Sequence, residues 1–350
     1  MKNILDVDKN FRINPTIRKD DIEFFDIRNS PFKIYGVFHE NGKFRRLPEK
    51  VATETSADVE FLHKHTAGGR VRFATDSDYV AIYAVMSEVG KMSHFALTGS
   101  AGFDLYIREN GKERYFKTFM PPFDIEDGYE SVVDFGNSNM KEITINFPLY
   151  SNVVNLFVGI RKNACLKEHS LYKTEKPVVF YGSSITQGGC ASRPGLSYES
   201  ILSRKLDVNH INLGFSGCAR GEDRIAEYIS GLDMSAFVYD YDHNAPTAEH
   251  LRNTHEKMFA KIREKNPDLP VIMMSRPKFI LTEEEKERLE IVKSTYLSAK
   301  EKGDKNVYFI DGPALMSEVE NEGTVDDCHP NDSGFMSMAK AIEKVLEKLL

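Results

Sequence analysis

The chain has 350 residues, 41% of them hydrophobic and 28% charged, with a formal net charge of −7. The acidic balance excludes the basic stripe that a nucleic-acid binder needs to neutralise phosphates, and no run of about 18 apolar residues exists to span a membrane. The length exceeds one typical core, so two domains are expected.

The opening "MKNILDVDKNFRINP" alternates charged and apolar residues and carries no apolar core of an export signal. With Cys165, Cys190, Cys218 and Cys328 forming no C-x-x-C pair, the expectation is a cytoplasmic protein with four reduced thiols.

Up to about residue 170 the grammar is that of β-structure. "FKIYGVF" and "KFRRL" flank Asn41-Gly42, and "FDLYIRE" and "ERYFKTF" flank Asn110-Gly111. Asn-Gly between alternating runs signals a hairpin, because both residues tolerate positive φ. "VEFLHKHT" and "RVRFAT" around Ala67-Gly68-Gly69 read as a third hairpin. "YVAIYAV", "EITINF" and "NVVNLFVGI" add strands, and no long amphipathic helix interrupts them. Many short strands with regular turns predict an antiparallel sandwich of jelly-roll type over residues 1–170.

After the polar stretch "RKNACLKEHSLYKTEKP" short apolar strands alternate with helical patterns. The predicted strands are 177–182, 210–215, 236–241, 270–275 and 307–311. The predicted helices lie near 197–206, 220–230, 247–265, 282–302 and 333–349. This alternation predicts an α/β domain over 171–350 with a five-stranded parallel sheet, whose ligands bind at the carboxyl ends of the strands.

"YGSSITQGG" (181–189) stands at the end of the first of those strands. It matches neither G-x-x-x-x-G-K-[ST] nor G-x-G-x-x-G, so a nucleotide loop is disfavoured. A serine at a helix start lies near free backbone N–H groups that suit an oxyanion, and it needs a base. "TVDDCHPNDSGF" (324–335) supplies one: Asp326 stands three residues before His329, a spacing that can fold the carboxylate back onto imidazole Nδ1. Asn244 in "YDHNAP" and Gly217 in "NLGFSGC" follow the third and second strands.

These blocks resemble the SGNH (GDSL-type) hydrolases. The resemblance implies a flavodoxin-like three-layer domain in which Ser184 is the nucleophile, His329 the base and Asp326 its orienter. Gly217 and Asn244 would join the Ser184 N–H in the oxyanion hole. Ser183 stands where the family has Asp, and Tyr241-Asp242-His243-Asn244 replaces its G-x-N-D. The front sandwich is similar in layout to that of carbohydrate acetyl esterases. The expected reaction is therefore hydrolysis of a short acyl ester, acetyl above all, on a small polar molecule such as an O-acetylated sugar. It implies no metal or organic cofactor, and no nucleic-acid or membrane partner. An acyltransferase with the same triad, a lipase acting on longer chains and a non-catalytic sugar binder are the alternatives.

Other residues carry weaker signals. Asp327 rivals Asp326. Ser216 sits in an incomplete G-x-S-x-G, because position 218 is Cys. Asp332 reads as a helix N-cap. His63 and His65 share one face of the expected strand but lack a third metal ligand. Arg193 and Arg276, near strand ends, are candidates to meet a polar substrate. The aromatic segment Phe103 to Phe123 is the expected wall of the substrate crevice.

Overall fold

The computed structural model describes residues 16–350, so the opening segment read above for an export signal lies outside the described residues. Twelve short strands precede the parallel sheet: β1 (Ile22–Asp26), β2 (Lys33–Tyr35), β3 (Phe38–Glu40), β4 (Lys43–Arg45), β5 (Arg70–Thr75), β6 (Tyr79–Glu88), β7 (Phe103–Glu109), β8 (Lys112–Phe119), β9 (Gly128–Asp134), β10 (Lys141–Asn146), β11 (Asn152–Arg161) and β12 (Leu166–Lys167). One sheet runs β1-β11-β6-β9 and the other β12-β5-β10-β7-β8, with β2 also on β5. The chain crosses repeatedly between the two sheets. Alternate residues point inward, as a two-residue period requires. Val71, Phe73, Val80, Ile82, Ile143, Ile145 and Val158 are fully buried between the sheets.

Both Asn-Gly turns form as expected, with Asn41 and Gly42 at φ 49° and 77°, and Asn110 and Gly111 at 51° and 76°. The third expected hairpin does not. Residues 59–66 are not a strand: "ADVEFL" forms a helix, Ala57–Leu62, preceded by another at Glu49–Thr55. Ser56 caps it by accepting from the Val59 N–H at 3.2 Å, and Val59 and Leu62, three apart, bury one face beside Val51. The alternation of "VEFLHKHT" was ambiguous over so short a run; the cap decided it. His63 and His65 therefore do not share a strand face.

The parallel sheet contains β13 (Thr174–Gly182), β14 (Val208–Gly214), β15 (Ala236–Asp240), β16 (Val271–Met274) and β17 (Val307–Ile310), in the order β14-β13-β15-β16-β17. Helices Tyr198–Leu206, Asp223–Ser230, Ala248–Lys265, Glu283–Glu301 and Asp332–Leu346 cover its two faces. Val178, Val179, Phe180 and Tyr181 are all buried, since a covered parallel strand has no wet side. The order reverses at β13, so the loops after β13, β14 and β15 meet at a topological switch point. No helix is long and apolar enough to cross a membrane among the described residues.

Edge strand β14 meets the sandwich half through two buried arginines. Alternate carbonyls of its outer edge accept from them: His210 O from Arg70 Nη1 at 3.2 Å, then Asn212 O and Gly214 O from Arg46 Nη1 at 3.2 and 2.6 Å. Arg46 also donates through Nε to His65 O and through Nη2 to Leu62 O, each at 2.7 Å. Burial lowers its pKa to about 10, which leaves it charged at neutral pH. Arg46→Met should cost about 3–5 kcal/mol, because it strands four buried carbonyls. Arg46→Lys should rescue little, since one ammonium cannot span them. Denaturant unfolding reads both, and a loss under ~1 kcal/mol for Met would overturn the anchoring role.

Candidate active site

Ser184 opens the four-residue helix Ser184–Gln187 directly after β13. Ser183 is its cap: its Oγ accepts from the Ile185 N–H at 3.1 Å. Position 182 must be glycine, because a Cβ there would lie 1.7 Å from Asp240 Oδ1. Asp240 also accepts from the Thr186 hydroxyl, and burial pushes its carboxyl pKa well up. The elbow thus rests on a buried acid, not on an aspartate at 183.

The base comes from a tight loop between Thr324 and Pro330. Asp326 Oδ1 accepts the backbone N–H groups of Cys328 at 3.1 Å and His329 at 2.7 Å. Its other oxygen lies 2.8 Å from His329 Nδ1. His329 Nε2 then stands 3.0 Å from Ser184 Oγ. Burial pushes the Asp326 pKa up, but the His329 backbone and ring contacts outweigh it and lower it to about 2. Ser184 is 7% exposed, with the loop closing over it. Asp327, at φ +63°, turns away and pairs with Lys278 at 2.9 Å.

Gly217 has φ +69° and open space where a Cβ would stand. Glycine is needed there for the backbone conformation. Asn244 donates through Nδ2 to Phe215 O at 3.2 Å, which ties its loop to the Gly217 loop and leaves its second amide hydrogen for a ligand. Arg288 fixes that loop from below by donating to Asp242 O and Ala245 O at 2.6 and 2.8 Å. Ser184, Gly217 and Asn244 thus stand on three converging loops. The Ser184 N–H, at a helix start, has no intrahelical partner.

The two arginine candidates are engaged elsewhere. Arg193 pairs with Asp104 at 2.9 Å and stacks on Tyr115, with its Cζ 3.8 Å from the ring centroid. Arg276 pairs with Glu285 at 2.7 Å. Each holds loops together through its Nη1. Asp332 is not the cap of the last helix: Asn331 is, accepting from Ser333 and Gly334, while Asp332 takes the Ser192 N–H at 2.8 Å.

A cavity of about 540 Å³ opens at Gly217. Its walls include Phe61, Leu62, Met92 and Tyr150, with Asp58 and Glu88 as the carboxylates. Phe103 and Phe119 are sandwich core instead. Of the expected aromatic wall, Phe123 is exposed, beside a separate cleft with Met92 and Phe95. The segment 59–66, read from the sequence as a strand, gives Phe61, Leu62 and His65 to the cavity at Gly217.

Sequence reasoning missed a relay. Glu88 Oε1 lies 3.3 Å from His65 Nε2, His65 Nδ1 accepts from Gln187 Nε2 at 3.1 Å, and Gln187 Oε1 accepts from the Ser216 N–H at 3.1 Å. Burial lowers the His65 pKa, consistent with a neutral ring that donates to Glu88 and accepts from Gln187. Tyr150 adds a bond from its hydroxyl to Ser184 O at 3.2 Å. His94, on the connection after β6, lies with its ring centroid 5.8 Å from that of His329. No signal in the sequence marked His94.

The arrangement can transfer a proton from Ser184 to His329, beside the Ser184 N–H left without an intrahelical partner at the helix start. The profile of the GDSL-like lipase/acylhydrolase family matches residues 175–347, and that of the N-terminus of SGNH-hydrolase-type esterases matches 22–166. The G-x-D-L-Y that names the second stands at Gly102–Tyr106, and its Asp104 accepts from both Arg193 and the Gly195 N–H at 2.9 Å. That motif therefore latches the sandwich onto the loop after the candidate nucleophile.

No curated protein matches the chain by sequence. Among solved structures, a protein named as a GDSL-like lipase from Bacteroides ovatus is 28% identical, with 94% of this chain and 98% of that one covered and a TM-score of 0.84. A salicylyl-acyltransferase from a tetracycline biosynthetic pathway is 18% identical, with 95% and 99% covered and a TM-score of 0.77. An acetyl xylan esterase from Butyrivibrio proteoclasticus is 14% identical, with 93% and 98% covered and a TM-score of 0.58. Two adjoining profiles, one for each half, make this chain a member of the GDSL-like lipase/acylhydrolase family, an SGNH-type esterase or acylhydrolase.

Proposed function

We propose that the protein is a serine esterase that removes a short acyl group, acetyl above all, from a small saccharide. The observation that carries this reading is the hydrogen-bonded line Asp326–His329–Ser184, at 2.8 and 3.0 Å. Ser184 Oγ attacks the ester carbonyl while His329 Nε2 takes its proton. The oxyanion is met by the N–H groups of Ser184 and Gly217 and by the Asn244 amide. His329 returns the proton to the departing sugar oxygen. A water, deprotonated by His329, then cleaves the acyl-enzyme and releases the acid. With its pKa lowered to about 2, Asp326 stays ionised near neutral pH and keeps its hold on His329 Nδ1.

The cavity beside Gly217 supports a sugar as the leaving group. Its volume falls within the usual range for small-molecule sites. Phe61 offers a ring face, Asp58 and Glu88 accept from hydroxyls, and the lining contains no Lys or Arg. An anionic substrate is disfavoured there. The same acyl-enzyme can pass its acyl group to an alcohol in place of water, and the cavity has room for such an acceptor. Product analysis with added sugar separates the two outcomes. In this reading residues 1–170 are the accessory sandwich and 171–350 the catalytic domain. The four cysteines are free thiols, which suits a cytoplasmic home.

Ser184→Ala should abolish hydrolysis of an activated acetate with the melting temperature nearly unchanged, whereas Ser183→Ala should lose far less. A covalent serine probe with peptide mapping reads the same assignment, and labelling at Ser183 would refute it. Across a series of acyl esters, acetyl should be cleaved faster than octanoyl, and acetylated sugars should compete. Faster octanoyl cleavage would replace the sugar reading with a lipase. Gln187→Leu should lower kcat roughly 10–100-fold with a smaller change in KM, because Gly217 loses its register. An unchanged kcat would leave the relay a structural role alone.

A further inference from the structure

The loop after the nucleophile carries a second unusual residue. Cys190 has φ +74°, a conformation that L-residues with side chains seldom adopt. Its thiol is buried against the candidate triad. His94, brought by the sandwich half, closes over the same spot from the solvent side. His94 Nε2 is 3.9 Å from Asp326 Oδ2, too long for a hydrogen bond. One donor atom from each of His94, Cys190 and His329 lies within 4.8 Å of the other two.

We propose that His94, Cys190 and His329 form a binding site for a soft divalent cation of the zinc type, and that filling it switches the esterase off. Two imidazole nitrogens and a thiolate, completed by water, are a donor set that zinc prefers, whereas magnesium and calcium want oxygen. A tetrahedral zinc centre spaces such donors roughly 3.4–3.8 Å apart, and the three already lie within 4.8 Å of one another. Without the cation, burial holds the Cys190 pKa up to about 12, so the thiol stays protonated beside the nucleophile. Binding replaces that proton: the S–H bond breaks, a Zn–S bond forms, and one proton leaves to solvent. His329 Nδ1 is already held by Asp326 at 2.8 Å, which leaves Nε2 to the metal. Asp326 then becomes the outer carboxylate that commonly orients a zinc-bound histidine. The lone pair that takes the Ser184 proton is the one the cation occupies, so turnover stops. The loss of turnover rests on His329 being the base; the binding itself does not.

Zinc is titrated into the full chain, with a chromophoric chelator reading occupancy and acetate-ester hydrolysis reading activity. One equivalent should bind, hydrolysis should fall in step, and EDTA should restore it, while magnesium and calcium do nothing. His94→Ala and Cys190→Ser should turn over normally without zinc, and each should weaken zinc binding and inhibition at least tenfold. Ser184→Ala, inactive, should bind zinc as the wild type does, which tests the site apart from the catalytic reading. Equal affinity in His94→Ala, or no stoichiometric binding, overturns the site. Stoichiometric binding at His94 and Cys190 with hydrolysis unaffected overturns the switch, and His329 as the base with it.

Discussion

An edge strand that, among the described residues, has no strand on its outer side is the constraint around which this protein is arranged. β14 ends the parallel sheet, and an open edge presents unpaired carbonyls that invite another strand. Here the carbonyls of residues 210, 212 and 214 are taken by Arg70 and Arg46 instead. Strand geometry puts those three on one side, two residues apart. Guanidinium groups suit the task because each offers several donors in a fixed plane and stays charged when buried. Because Arg46 simultaneously takes Leu62 O and His65 O, the seam also fixes the turn that follows the Ala57–Leu62 helix. Phe61, Leu62 and His65, all on the cavity wall, take their positions from it.

The seam therefore reaches the chemistry without touching it. β14 leads directly into Phe215, Ser216 and Gly217. The Ser216 N–H is held by Gln187, which is held in turn by His65 and Glu88 from the sandwich half. Gln187 belongs to the same short helix as Ser184. The proposed nucleophile and the proposed oxyanion loop are thus registered against one side chain, whose far partners belong to the other half of the molecule. Arg193 repeats the arrangement on the opposite flank. It binds Asp104 and stacks on Tyr115, while the neighbouring Ser192 holds Asp332 at the base of the histidine loop.

Much of this was legible in the sequence because it follows from local chemistry. Asn-Gly fixed the two hairpins. The five apolar strands and their helices appeared within a few residues of their predicted bounds, because a covered parallel strand must be apolar throughout. The Asp326–His329 spacing told of a local turn, and the turn exists as a pair of backbone bonds to one carboxylate oxygen. What failed was long-range or ambiguous over a short run. Residues 59–66 had an apolar pattern compatible with either period, and the Ser56 cap settled it as helix. Arg193 and Arg276 lay near strand ends, but only their partners, 89 and 9 residues away in sequence, could reveal that both were already paired. His94 and Glu88 carried no motif at all, and Gln187 was not singled out within "YGSSITQGG"; their roles come from the sandwich folding against the sheet.

The division of labour between the halves is consequently less clean than a two-domain sequence implies. Every proposed catalytic atom lies beyond residue 180, yet the sandwich supplies Tyr150 to the Ser184 carbonyl, His94 beside the base and Glu88 to the relay. A parallel sheet alone offers only a shallow crevice at its carboxyl edge. The sandwich adds apolar walls beside the Gly217 loop, and the donors proposed to meet the oxyanion are each worth more where water is excluded. Selectivity and rate are therefore coupled through one interface. A change in the sandwich that alters which substrate fits will also move Gly217, and its effect should be sought in kcat as well as in KM.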